Sequence, residues 1–284
     1  MGKPGNGKNE LSHAAAERGW IGSYGLRESI QNLGPPAMKA LLCTHASTPD
    51  DLTIADLPDP VAGPGQAVVR VQAAALNFFD LLIIAGQYQY KPEYPFSPGA
   101  EFAGTVESIG PDVTGFAAGD RVIGYSGWGA AREKIAIGTG KLIKMPPGLA
   151  ADRASGLVVT YGTSYYALKD RAGLKQGETL AVLGASGGTG LAAVELGKLM
   201  GARVIACASS DEKLVFAKEH GADHALNYAS SDLRDGLRKL GGEHQLFVGR
   251  GAGDDARAHE LAELDRGEAG AARSAEHRKG FAWF

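Results

Sequence analysis

Cysteine is nearly absent: the chain has 2, Cys43 and Cys207, far apart in sequence. They support neither a disulfide framework nor a zinc knuckle, and the plain reading is two reduced thiols in a cytoplasmic protein. No apolar run is long enough to span a bilayer. A charge excess is missing too: 29 Lys and Arg against 32 Asp and Glu give a formal net charge of -3, so nothing global calls for nucleic acid. The first 37 residues hold lysines but no apolar core, which argues against a signal peptide, and too many acids for a transit peptide. They read as a loose extension, with a short helix between Ala14 and Ile30 and the folded unit starting at Met38. The other end lacks more. From Gly249 to Gly280 there is no Val, Ile, Thr, Phe, Tyr or Trp. Parallel strands are built from such residues, so residues 246–284 read as an atypical tail, disordered or poorly packed.

What is present fits a globular chain: 284 residues, 44% hydrophobic and 21% charged. From Met38 to about residue 150, short strand-like runs ("MKALLC", "LTIADL", "QAVVRVQAAA", "EFAGTVESIG", "DRVIGY", "AAREKIAI") alternate with Gly/Pro joints. That rhythm predicts an all-β, barrel-like domain over 38–150. A short helix is expected from Asn77, ending in a glycine suited to a C-cap. After "MPPG" the pattern changes to a long helical stretch, then strand Thr179–Gly184, helix Gly188–Met200, strand Arg203–Ala208, helix Asp211–Glu219 and the strand-like "ADHALNY". Alternating strands and helices predict a parallel sheet over 151–245.

The first βα turn of that sheet spells Ala185-x-Gly187-x-x-Gly190, with Ser186, Gly188 and Thr189 between. This is a dinucleotide fingerprint with alanine in place of its first glycine. It follows a strand and opens a helix, the context that gives such a motif meaning. Backbone N–H groups at a helix mouth suit a pyrophosphate, and the helix dipole favours the negative charge. The alternative is a glycine-rich turn with no ligand. An NAD site places an acid at the end of the second strand. Here that strand runs into Ser209, Ser210 and, one turn on, Lys213. Hydroxyls and a cation suit a 2′-phosphate, so NADPH is favoured. Lys213 also reads as a solvated lysine, and Asp211, a counterargument, reads as easily as an N-cap.

Taken in order, "MKALLC", "AAALNFFDLLIIAGQYQ", "PGAEFAGTVESIGPDVTGFAAGDRV", "VTYGTSYYAL", "GASGGTGLAAVELGK" and "GADHALNY" resemble the zinc-independent, zeta-crystallin-like quinone oxidoreductases of the medium-chain dehydrogenase/reductase superfamily. The resemblance covers about Met38 to Gly242, with Glu195 where that branch usually carries glutamine. It implies α/β plus β architecture: a GroES-like β-barrel domain, then a Rossmann domain, with the active site between them. It puts Asn77 and Ala100 where zinc-dependent relatives have a cysteine and a histidine, so no metal is expected. It places Asn77 and Tyr88 at the substrate pocket with Asp80 on the same loop, Thr160 by the nicotinamide, and Ser210, Lys213 and Tyr228 at the 2′-phosphate. Three of these have a plainer reading: Asn77 as a helix cap, Tyr88 as an interdomain aromatic, Tyr228 as a surface tyrosine. A tyrosine of some relatives is Leu82 here.

After Gly242 the sequence departs from the family and ends well short of it. This reads as a Rossmann sheet truncated at its third strand, with an exposed edge and a face short of helices. A shifted reading frame in GC-rich DNA would give such a tail, and a real variant is the rival explanation. The functional reading is NADPH-dependent reduction of a quinone, impaired if the truncation matters. Its rivals are reduction of an activated alkene, a non-catalytic dinucleotide or RNA binder, and an inactive product. Partners would be a small molecule rather than nucleic acid or membrane. The homodimer of the family is doubtful here.

Overall fold

The computed structural model describes residues 38–241 and 246–250. The expected loose extension at 1–37 and the part of the tail beyond Arg250 lie outside the described residues. The β region opens with a ribbon, β1 (Met38–Leu42) paired antiparallel with β2 (Thr53–Leu57). It continues in β3 (Gln66–Ala74), β4 (Glu101–Ile109), β5 (Arg121–Tyr125), β6 (Lys134–Gly138) and β7 (Leu142–Lys144). These make one five-stranded antiparallel sheet in the order β6-β3-β4-β5-β7. Alternation places Ala67 and Val69 of β3 with Phe102 and Val106 of β4 and Val122 of β5 in one core. The expected barrel is not closed among the described residues. The ribbon joins the segment leading into β6 through the isolated bridge Ala40↔Arg132 and backbone bonds from Leu41 N–H to Ala131 O and from Glu133 N–H to Lys39 O, while Cys43↔Phe96 ties the ribbon to a loop.

One helix interrupts the β region, α1 (Phe78–Ile84), beginning and ending where the sequence signals. Asn77 is its N-cap with extended backbone, and the left-handed Gly86 (φ +66°) follows its C-cap, Ala85. Ile83 and Ile84 seat it against Cys43 and Phe96. Both cysteines are free and buried.

The link to the second domain is helical but uneven. It runs as α2 (Ala151–Ser155), a wide π-helical turn over Leu157–Tyr161, α3 (Gly162–Tyr165) and a second π turn over Tyr166–Arg171. Then come β8 (Thr179–Leu183), α4 (Gly188–Leu199), β9 (Arg203–Ala208), α5 (Asp211–Glu219), β10 (His224–Asn227), α6 (Leu233–Gly241) and β11 (Leu246–Arg250). All four strands are parallel, in the order β10-β9-β8-β11.

The sheet is expected to stop at its third strand but has a fourth. β11 pairs with the whole of β8, from Leu246↔Thr179 to Arg250↔Leu183. Its short run "LFVG" supplies the apolar and β-branched residues that the later tail lacks. Both sheet faces are covered as well. Leu180 and Val182 of β8 pack toward α4 and α5 with Val194 and Leu214, whereas Ala181 and Leu183 pack with Ile205, Cys207 and Leu237 of α6. Every β8 residue is buried, as a central parallel strand requires.

Candidate active site

The order β10-β9-β8-β11 reverses direction at β8: the chain first moves outward to β9 and β10, then returns to β11 on the other side. Ligands of open α/β sheets bind outside the carboxyl ends of the strands at such a switch point. The glycine turn lies there. Gly184 takes a left-handed φ of +63°, turning the chain out of β8. Ala185 is buried, and its N–H donates to Cys207 O of β9 at 3.1 Å. It works as an anchor in the sheet, and a methyl fits there in place of the first glycine. Gly187 is the N-cap of α4, with no side chain bonded to the helix end. The first-turn N–H groups of α4, Gly188 and Thr189 among them, therefore open onto the switch point. A Cβ on Gly190 would sit 2.2 Å from Gly184 O, so only glycine lets α4 pack this close to β8.

At the end of β9, Ser210 caps α5 by accepting the Lys213 N–H at 3.4 Å, and Lys213 Nζ donates to Ser209 Oγ at 3.3 Å. The structure thus brings Ser209, Ser210 and Lys213 together. Asp211, the acid that could have contacted a ribose hydroxyl, is already engaged: Asn227 Nδ2 donates to its Oδ1 at 2.7 Å. Tyr228 lies just beyond β10, 6% exposed, packed with Cys207 and Leu226. It is a core ring at the sheet margin rather than a surface tyrosine.

On the β side, Asn77 and Asp80 form a capping box, with Asp80 Oδ2 accepting the Asn77 N–H at 2.8 Å. Asn77 thus fills the plainer role of helix cap, and its side chain is left to reach elsewhere. Its Nδ2 donates to Glu101 Oε1 at 3.0 Å. Glu101 is fully buried in β4, and its Oε2 accepts the Val159 N–H at 2.9 Å. Next along the π turn, Thr160 bonds back to Gly156 O at 2.7 Å and turns its methyl toward the glycine turn. A Cβ on Gly188 would lie 3.2 Å from that methyl. One chain of contacts therefore runs Asn77, Glu101, Val159, Thr160, Gly188, joining both domains.

Tyr88 is half-buried. It stacks on Phe79 with centroids 5.5 Å apart and meets Tyr90 at 5.8 Å. Burial raises the Tyr125 hydroxyl above its ordinary range, helped by the charges of Tyr88, Tyr90, Glu101 and Asp80. Burial also raises the carboxyls of Asp80 and Glu101, while N–H donors pull the other way. Asp80 Oδ1 is buried with no hydrogen-bond partner. Sequence reasoning missed Glu101. The signal was there, a single acid opening the otherwise apolar "EFAG" of a core strand. A separate cavity of about 340 Å³ beside Lys39, Val71 and Arg132 holds none of these residues.

Two family models match this layout: "Alcohol dehydrogenase GroES-like domain" over residues 63–147 and "Zinc-binding dehydrogenase" over 188–252. A probable oxidoreductase from Mycobacterium abscessus is 38% identical with TM-score 0.71, over 76% of this chain and 69% of that one. The quinone oxidoreductase of Thermus thermophilus, described alone and in complex with NADPH, is 34% identical with TM-score 0.67, over 78% and 69%. The chain belongs to the zinc-independent quinone oxidoreductase branch of the medium-chain dehydrogenase/reductase superfamily.

Mouse quinone oxidoreductase-like protein 2 is 40% identical over 211 residues, 74% of this chain and 60% of that protein. The chain thus spans about 60% of the length of this relative. Family likeness continues to residue 252, past the expected departure at Gly242, and takes in β11. The zinc in the second model's name finds no counterpart at Asn77 and Ala100, where an amide and a methyl stand in place of thiolate and imidazole. Among the described residues, no three His, Cys, Asp or Glu side chains converge on a metal-sized site, and no helix is long and apolar enough to cross a membrane.

Proposed function

We propose that this chain is an NADPH-dependent reductase of quinones, working by hydride transfer without zinc. The observation that carries the reading is the open, uncapped N-terminus of α4 at the switch point, flanked by the Ser209, Ser210 and Lys213 cluster. The residues fit the cofactor. The turn from Ser186 to Gly190 offers backbone N–H groups to a pyrophosphate, with Ala185 anchoring it. Ser209, Ser210 and Lys213 offer two hydroxyls and a cation to a 2′-phosphate, and Tyr228 borders the same strand end. When bound, NADPH supplies the hydride.

The protein's own part is placement and exclusion of water. Thr160, held by its bond to Gly156 O, bounds the nicotinamide side. Asn77 and Tyr88 bound the substrate side, and Asp80 fixes Asn77 through the capping box. A quinone is already electrophilic and its reduced oxygens take protons from solvent, so no strong acid is required at the substrate.

The test is a fluorescence titration of the purified chain with NADPH and with NADH, a thermal melt in parallel, and turnover of a simple benzoquinone. NADPH should bind tighter and raise the melting temperature. Lys213→Ala should weaken NADPH about tenfold, the loss of one charge-assisted contact worth about 1.4 kcal/mol, and leave NADH unchanged. Equal weakening of both nucleotides would remove Lys213 from the 2′-phosphate site. Absence of NADPH binding would end the reading as a whole.

A further inference from the structure

Glu101 is an expensive residue to keep. It is fully buried, and no ion pair among the described residues includes it. A buried acid is tolerated only where hydrogen bonds compensate it, and an apolar residue of the same shape often serves stability as well or better. Its bonds are divided in an informative way. Oε1 takes the side-chain amide of Asn77, and Oε2 takes the backbone N–H of Val159. Val159 belongs to the π turn Leu157–Tyr161. An acceptor that draws helix N–H groups out of the ordinary i→i−4 ladder widens the helix locally. The same turn carries Thr160, whose methyl faces Gly188.

We propose that Glu101 is the positioning residue of hydride transfer: one carboxylate holds Asn77 on the substrate side and the widened turn that aims Thr160 at the cofactor side. The assignment rests on the reading under Proposed function. Glu101 touches neither reactant. It acts through Asn77 and Thr160, and a displacement of about 1 Å in such supports can lower turnover about 100-fold.

Glu101→Leu removes both acceptors and keeps bulk; Glu101→Gln keeps one acceptor oxygen. The full chain and both variants are compared by melting, NADPH titration, emission of bound NADPH and quinone turnover. The expected result for Glu101→Leu is a melting temperature a few degrees lower, because the Asn77 amide and the Val159 N–H lose their acceptor, an NADPH Kd close to wild type, bound-NADPH emission shifted toward that of free nucleotide, and kcat down about 100-fold at similar KM. Glu101→Gln should lose about tenfold in kcat, an intermediate value. Wild-type kcat and emission in Glu101→Leu would overturn the assignment, as would a loss that simply follows a lower melting temperature and weaker binding. If Glu101→Leu does not fold, Glu101→Gln decides, with unchanged kcat and emission overturning the proposal. If wild type binds NADPH but reduces no quinone, the substrate reading fails while the emission comparison still decides Glu101. If wild type binds no NADPH, both fall.

Discussion

Asp80 and Glu101 show how far a few buried atoms can set behaviour. Both carboxyls are pushed above their ordinary range by burial, and the Glu101 charge raises Asp80 further. An acid raised in the folded state holds its proton where the unfolded chain has lost it. It therefore favours folding fully below the unfolded value, and that contribution is lost as pH rises through the folded value. Asp80→Asn keeps an acceptor for the Asn77 N–H and removes the ionisable group. The variant should melt about 2–4 °C above wild type at pH 8, about 1 kcal/mol, and the difference should vanish near pH 4. Comparing variant with wild type cancels the other carboxyls, whatever their direction. A pH-independent difference, or a lower melting temperature at pH 8, would show that Asp80 is not a buried charge under strain from its surroundings.

At the scale of elements, much was legible, for reasons that differ from element to element. β9 and α5 match the sequence reading at both ends, although the cap of α5 is Ser210 rather than Asp211, the residue read as the N-cap. The turn Ala185-x-Gly187-x-x-Gly190 was legible because its glycines answer to backbone geometry alone. β7 was missed because three residues carry too little alternation to register. α6 and β11 were missed because the polar tail beyond them hid a short apolar run whose pairing with β8 is a tertiary fact. The helical link at 151–171 read as a long helical stretch; the first of its two π turns carries the Val159 N–H that bonds Glu101, more than fifty positions earlier, a contact no local pattern can show. The link is also bonded to α4, with Tyr161 Oη donating to Glu195 Oε2 at 2.5 Å. Burial and that carboxylate push the Tyr161 hydroxyl up to about 12, so it stays a donor throughout the usual pH range. Tyr161→Phe should lower the melting temperature by about 2–4 °C, the cost of about 1 kcal/mol for an acceptor left without its donor. Glu195→Gln, which keeps an acceptor oxygen, should cost less; equal losses would mean that the bond matters for its charge instead.

For the molecule as a whole, the decisive feature is that β8 has a neighbour on each side. All five β8 residues are buried, and β11 covers the edge that β9 does not. The switch point exists only because β11 returns to that side, so the strand that completes the sheet also completes the crevice for the cofactor. A chain ending at Gly241 would keep the glycine turn and the Ser209–Lys213 cluster but lose β11. Its apolar central strand would become an unpaired edge, open to association with other chains. The shortened chain should lose its cooperative melt, scatter light on warming and fail to bind NADPH, all measurable beside the full chain in one set of titrations and melts. Unchanged melting and binding would mean that β8 is held by β9 and the helices alone, and that the fourth strand is dispensable to the site. The outcome bears directly on a chain that spans about 60% of a relative's length, since it decides whether four parallel strands are the smallest sheet that can present this turn.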